Sequence, residues 1–146
     1  MLGKALLSLS AIMQILGPFI ADFNHTHIKN PRWPPHAKFH NGQTMSMGLC
    51  LGLATLYYTY RSPPTPLPNS STSLIKKKED FFTAAIFGSL YWITGLSAIL
   101  YPGSAGVDPE FGEGFPQLFI FGPLMVGSWL GAWVEGGLSG LERKVA

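Results

Sequence analysis

All four histidines of the chain lie in one short segment, Asp22-Phe-Asn-His-Thr-His-Ile-Lys-Asn-Pro-Arg-Trp-Pro-Pro-His-Ala-Lys-Phe-His-Asn-Gly-Gln43, which joins two apolar runs. Imidazole exchanges protons near neutral pH and is a common metal ligand. The segment is therefore the candidate working end, and the rest of the chain reads as its scaffold. His36 and His40 stand four residues apart, which on a helix places both rings on one face. Pro34-Pro35 suits the first turn of such a helix, where proline forfeits no needed hydrogen bond. His36 and His40 are the candidate general acid and base. Asp22, at the end of the preceding apolar run, is the candidate carboxylate that orients them. Gln43, Trp33 and Asn30 are the candidate substrate contacts, while His25 and His27 are expected to be exposed or locally hydrogen-bonded.

A second acidic segment belongs with these residues if the apolar runs cross a membrane. Tyr101 to Pro116 carries Asp108, Glu110 and Glu113, three of the eight carboxylates. A carboxylate beside an imidazole favours its charged form and fixes its tautomer, as acid–base work requires. Glu110 and Glu113 taken singly read as solvated loop acids, and Glu135 falls at the opposite end with no assigned role.

Metal chemistry finds less support. The HxxxH spacing lacks the glutamate of the HExxH zinc-peptidase motif. Four histidines are too few for the histidine-rich di-iron sites of membrane oxygenases, and a haem clamp needs its two histidines on different helices. A single ion held by His25, His27, His36 and His40 is the minor alternative; no metal and no cofactor is expected. Cys50 is the single cysteine, so neither an internal disulfide nor CxxC redox chemistry is available.

The elements that must position the segment follow from the charges. Only 12% of the 146 residues are charged, about half the usual roughly 25%. None falls in Ala5–Ala21, Asn41–Tyr60, Phe81–Val107 or Gly114–Val134. Such lengths suit helices that cross a bilayer, where backbone polar groups must pair within the segment. The expected fold is an all-α integral membrane four-helix bundle, one domain over residues 1–146. Its spans fall at about 5–22, 41–60, 81–101 and 115–135, with a solvated linker at 61–80. The first span is the weakest, interrupted by Gln14 and Gly17-Pro18. A signal peptide is its rival, but cleavage after Ala21 would need a small residue where Phe19 stands. An uncleaved, kinked span is expected.

Gly48-Leu-Cys-Leu-Gly52 and Gly127-Ser-Trp-Leu-Gly131 are GxxxG patterns, expected to pack helices within the bundle. Tyr57, Tyr58, Tyr60, Trp129 and Trp133 read as interfacial aromatics. Tyr91 and Trp92 read as packed rings, with a pocket wall as the alternative. Lys4, Arg61, Lys76, Lys77, Lys78, Arg143 and Lys144 share one side, against Lys29, Arg32 and Lys38 on the other. By the positive-inside bias both termini are cytosolic. The lysine run at 76–78 is a topology anchor that can also meet lipid headgroups. Net charge is only +2, with basic residues scattered, so no nucleic-acid partner is expected. Sequons occur at Asn24 and Asn69; the first is close to a span, and the second would be cytosolic.

The stretch from Ala21 to His40 resembles the signature of a family of small four-span membrane proteins found in filamentous fungi and some bacteria. Most members are uncharacterised, and some fungal ones are encoded beside polyketide or terpenoid genes. The resemblance implies a membrane-resident step or helper in secondary metabolism, acting on a lipophilic intermediate; the expected membrane is the endoplasmic reticulum. It supplies no catalytic residue list. Together with the histidines, it leads to acid–base isomerisation or cyclisation as the first expectation. A non-catalytic helper that docks a membrane-bound oxidase such as a cytochrome P450 is the second. A channel or transporter is third, since inverted repeats and charges within the spans are absent.

Overall fold

The computed structural model describes residues 1–61 and 71–145, with side chains through residue 137. The Pro-rich part of the linker, the Asn69 sequon and the side chains of Arg143 and Lys144 lie outside the described residues. Among those described there are four helices and no strand: α1 (Leu2–Asp22), α2 (Pro35–Tyr60), α3 (Ser71–Ser97) and α4 (Gln117–Val145). A 3-10 turn, Ala98–Leu100, follows α3. Each helix packs on its neighbours in the chain, and α1 also packs on α4, so the helices close into a ring in chain order.

Three helical stretches are long and apolar enough to cross a membrane: Leu2–Asp22, Ser71–Leu100 and Gln117–Gly137. The expected second span is not among them. At 26 residues and about 1.5 Å per residue, α2 has the length. Its run from 41 to 60 is uncharged but not apolar enough. Asn41, Gln43, Thr44, Ser46, Thr55, Thr59 and three tyrosines dilute it. It packs between α1 and α3, and buries Met45, Gly48, Gly52, Thr55 and Thr59.

The helix with the weakest sequence pattern is long and apolar enough by composition to cross a membrane, and its polar residue has partners. Gln14 is fully buried, and its Nε2 donates to the carbonyls of Gly88 (2.8 Å) and Phe87 (3.1 Å) on α3. Pro18 lies inside α1 and is buried. At the other boundary, α3 begins ten residues before its apolar run, so residues 71–80 are helix rather than linker. The lysines and Glu79 there are good helix formers. Asp80, which is buried, pairs with Arg61 just beyond α2. The hydrogen bonds that Arg61 donates to Asp80 and then to Tyr57 raise its affinity for its proton. Glu135 accepts the Met1 ammonium at 2.7 Å, which places both pairs at the end of the bundle away from the histidines.

Glycines set the close approaches. A Cβ on Gly48 would lie 2.6 Å from the Gln14 carbonyl oxygen and 2.9 Å from Pro18 Cγ. One on Gly52 would lie 2.6 Å from the Ala11 oxygen. This GxxxG pair therefore seats α2 on α1, within the bundle. In the second pattern only Gly131 is used, 2.7 Å by the same measure from the Gly3 oxygen, while Gly127 faces open space.

The bundle centre is polar. The Gly88 carbonyl accepts from Ser10 Oγ at 2.8 Å and Ser128 Oγ at 3.1 Å, besides Gln14. Ser10 Oγ in turn accepts the Trp92 indole N–H at 2.7 Å. Trp92 and Tyr91 pack on each other and on Phe121, so both are core rings. Ser128 has a second acceptor in the Leu124 carbonyl, 2.9 Å away on its own helix, whereas among the described residues Ser10 is the only partner of the Trp92 N–H. Ser10→Ala should therefore destabilise the protein by about 1–3 kcal/mol, the penalty of a buried donor left unpaired. Ser128→Ala should cost under about 1 kcal/mol, because no buried donor is stranded. Thermal unfolding of the two variants in one detergent checks the order.

Candidate functional site

The loop from α1 to α2 is built on Asn24. Its Nδ2 donates to the carbonyls of Ala21 (2.7 Å) and Ile20 (3.3 Å), capping the end of α1. Its Oδ1 accepts from the backbone N–H of Thr26 (2.8 Å) and from Thr26 Oγ1 (2.6 Å). The chain then turns tightly, with Ile28 N–H donating to the Asp22 carbonyl and Lys29 N–H to that of Asn24. This turn carries His27 back over the end of α1, where its Nε2 lies 3.9 Å from Asp22 Oδ1. The hydroxyl hydrogen of Thr26 is committed to Asn24, so the 2.7 Å contact with His27 Nδ1 requires the ring N–H to donate. In the neutral ring, Nε2 is then the bare nitrogen and faces the carboxylate. The other Asp22 oxygen, Oδ2, accepts from Asn41 Nδ2 at 2.9 Å.

The third loop closes over the first. Arg32 and Glu110 form an ion pair, Asn30 Nδ2 donates to Glu110 Oε1 at 3.4 Å, and the Trp33 indole donates to Asp108 Oδ2 at 3.3 Å. Trp33 also sets its ring edge-on to His27, centroids 4.8 Å apart. The third loop turns on Gly112 and Gly114, at φ 131° and 102°, a region that glycine alone enters readily. The two loops thus share one end of the bundle, as the topology requires. The acids of the third loop meet Arg32, Asn30 and Trp33, however, and not His36 or His40.

Proline at the first turn starts α2 at Pro35, and the next turns bring the other two imidazoles together. His36 Nε2 and His40 Nε2 are 3.0 Å apart, with rings nearly perpendicular at 4.5 Å between centroids. Only one hydrogen fits between them, so one ring donates and its partner accepts. His40 Nδ1 faces Gln43 Oε1 at 3.4 Å; with the amide oxygen in that place the His40 hydrogen sits on Nδ1 and Nε2 accepts from His36, and with the amide turned the roles reverse. Both rings are exposed, and Phe39, 66% exposed, lies alongside them.

The candidate residues therefore fall into two groups. His36, His40 and Gln43 form one. Asp22 belongs to another, with Asn41 and His27, and touches neither of the other two histidines. Asn30 is 2% exposed, with its Nδ2 on Glu110 and its Oδ1 accepting the Arg32 N–H, so it braces the loop. Trp33 braces the clasp. His27 is expected from the sequence as exposed or locally hydrogen-bonded, and it does bond its neighbour Thr26; its place beside Asp22 and the part of Asn41 are not legible there. The available signal is the Asn24-His-Thr turn, since Asn and Thr commonly hydrogen-bond the backbone two or three residues away. Among the described residues, no three His, Cys, Asp or Glu side chains gather as a metal site.

No curated protein and no solved structure matches the chain significantly. A family match does cover nearly all of it, from residue 6 to residue 140, including the histidine segment and both loops of this end. The chain belongs to DUF6640, a family of unknown function.

Proposed function

We propose that the protein is a membrane-resident acid–base catalyst that isomerises or cyclises a lipophilic intermediate of secondary metabolism. The observation that carries this reading is the His36–His40 couple, with one hydrogen held between two exposed imidazoles at a separation of 3.0 Å. Such a couple has a donor and an acceptor side by side, which is what moving a proton from one carbon to another requires. Gln43, beside His40 Nδ1, biases which ring accepts. Asp22 acts at one remove, by holding Asn41, the neighbour of His40 in the chain. Three helices of membrane-crossing apolarity suit a substrate that enters sideways from the bilayer. The natural-product setting and residence in the endoplasmic reticulum with cytosolic termini rest on the resemblance of residues 21–40 and on the lysine and arginine distribution.

Metabolite profiling of the producing host tests the reading, with wild type set against an equally expressed His36→Ala/His40→Ala variant. Loss of a product with accumulation of its isomer supports it, and an unchanged profile overturns it. A build-up differing by oxygen or hydrogen would instead identify a helper of an oxidase. Lys38→Glu is the sharper variant for that second reading, because the Arg32 charge is already engaged by Glu110.

A further inference from the structure

The His36 and His40 rings are inclined in a way that a hydrogen bond alone does not call for. A straight N–H···N bond between two imidazole nitrogens 3.0 Å apart would set the ring centroids about 5.3 Å from each other. The centroids are 4.5 Å apart, with the rings at 78°, so at least one ring is turned off the line that joins the nitrogens. A metal–imidazole bond is about 2.0–2.1 Å long. An ion at that distance from both Nε2 atoms, with both lone pairs aimed at it, would set the centroids about 4.7 Å apart, much nearer the observed spacing. The same triangle gives an N–metal–N angle of about 90–100°, the angle between adjacent ligands of a tetragonal ion. The turn that carries the rings is already formed, since Lys38 N–H donates to the Pro34 carbonyl at 3.3 Å.

We propose that His36 and His40 chelate one divalent late-transition-metal ion through their two Nε2 atoms, with copper(II) the best fit. Imidazole suits copper, nickel and zinc, whereas calcium and magnesium want oxygen ligands. The angle favours copper or nickel over tetrahedral zinc, and copper binds nitrogen sites most tightly of the three. Among the described residues no third His, Cys, Asp or Glu joins the pair. Both rings are exposed, so water fills the remaining positions and the ion exchanges readily. The ion needs both Nε2 atoms bare, which puts the His40 hydrogen on Nδ1, facing Gln43 Oε1 at 3.4 Å. That is the usual outer support of a metal-bound histidine. The start of α2 opposes a cation by about two- to fivefold in affinity. Two ligands already in place outweigh this, because little side-chain freedom is left to lose. Lys38 stands on the far side of the helix from the pair, and Arg32 is held by Glu110. The ion and the shared hydrogen claim the same two nitrogens and exclude each other. The catalytic consequence of that exclusion rests on the acid–base reading; the binding rests on the geometry alone.

The test titrates the full chain, one copy per nanodisc, with Cu2+ and follows it by pulsed electron paramagnetic resonance, whose nitrogen modulation counts the imidazoles on the ion. One ion held by two imidazoles is expected in the wild type. His36→Ala and His40→Ala should each lose the two-imidazole signal and bind at least about tenfold more weakly, since even the residues that support metal ligands are worth that much. His25→Ala removes another exposed imidazole of the segment and should leave the signal unchanged. Excess Zn2+ should displace the copper, and Ca2+ and Mg2+ should not. A wild-type ion with one imidazole or none, or equal binding by the His36→Ala/His40→Ala variant, would overturn the site. The rings are exposed, so these variants remove no buried contact. The spectrum is also independent of turnover. Turnover that needs both histidines in a protein that binds no copper would sink the ion and keep the acid–base reading. Copper held by both rings, with a metabolite profile unchanged in the double variant, would do the reverse.

Discussion

Gly48→Ala will separate α1 from α2 and lower stability by about 3 kcal/mol, the upper part of the range for overpacking a close contact. The added methyl would lie 2.6 Å from the Gln14 backbone oxygen. A carbonyl in a helix cannot turn aside as a flexible side chain can, so the helices themselves must part. Pro18, 2.9 Å away on the same wall, blocks the other direction. Alanine's better helix propensity offsets only about 1 kcal/mol. Gly52→Ala should behave alike, against the Ala11 oxygen and Ile15. Gly127→Ala is the control: nothing lies within 4 Å of its Cβ, so only the propensity gain remains and stability should rise slightly. Thermal unfolding of the three variants gives the ranking. A Gly48→Ala protein as stable as wild type would show that the two helices do not meet as described.

His36→Ala, His40→Ala and the double variant should each lower turnover by about 10²–10⁴-fold, the usual contribution of a general acid or base, and by similar amounts. The similarity is the discriminating part. Each ring is the other's hydrogen-bond partner at 3.0 Å, so removing either destroys the shared proton, and the second deletion has little left to remove. Two histidines acting independently would give losses that multiply. His40→Gln keeps a polar group but no ring nitrogen, and should be as impaired as His40→Ala. Gln43→Leu frees the His40 tautomer, so it should lower activity by a smaller factor and leave stability nearly unchanged. Product formation by membranes that contain equal amounts of each variant makes the comparison.

Local features of this chain were legible and distant ones were not. The start of α2 could be read from Pro34-Pro35, and the meeting of His36 with His40 from their spacing, because both depend only on helix geometry. The partner of Asp22 could not, because His27 reaches it through a turn that the Asn24 side chain folds. Gln14 looked like a defect in a span; its partner carbonyl is 74 residues away, and no local pattern announces such a contact. Between 41 and 60 the chain is uncharged without being apolar: hydroxyls and amides make that helix too polar to count as a span by composition. The reverse held at Lys76–Asp80, where charge suggested linker and the backbone is helical. The shared location of the first and third loops followed from topology. Which acid met which residue did not, since those pairings are set by side-chain reach within the loops.

The capping role of Asn24 also bears on how membrane sidedness can be mapped. Both hydrogens of its amide nitrogen are held by the last carbonyls of α1, and a sugar on that nitrogen would replace one of them and uncap the helix. In the folded protein the Asn24-His-Thr sequon is therefore a poor glycan acceptor. An N-glycan found on the wild-type chain would report the side that holds Asn69 and leave the histidine end unlabelled. An engineered sequon in the Tyr101–Pro116 loop, away from Asp108 and Glu110, would be the natural reporter for that end.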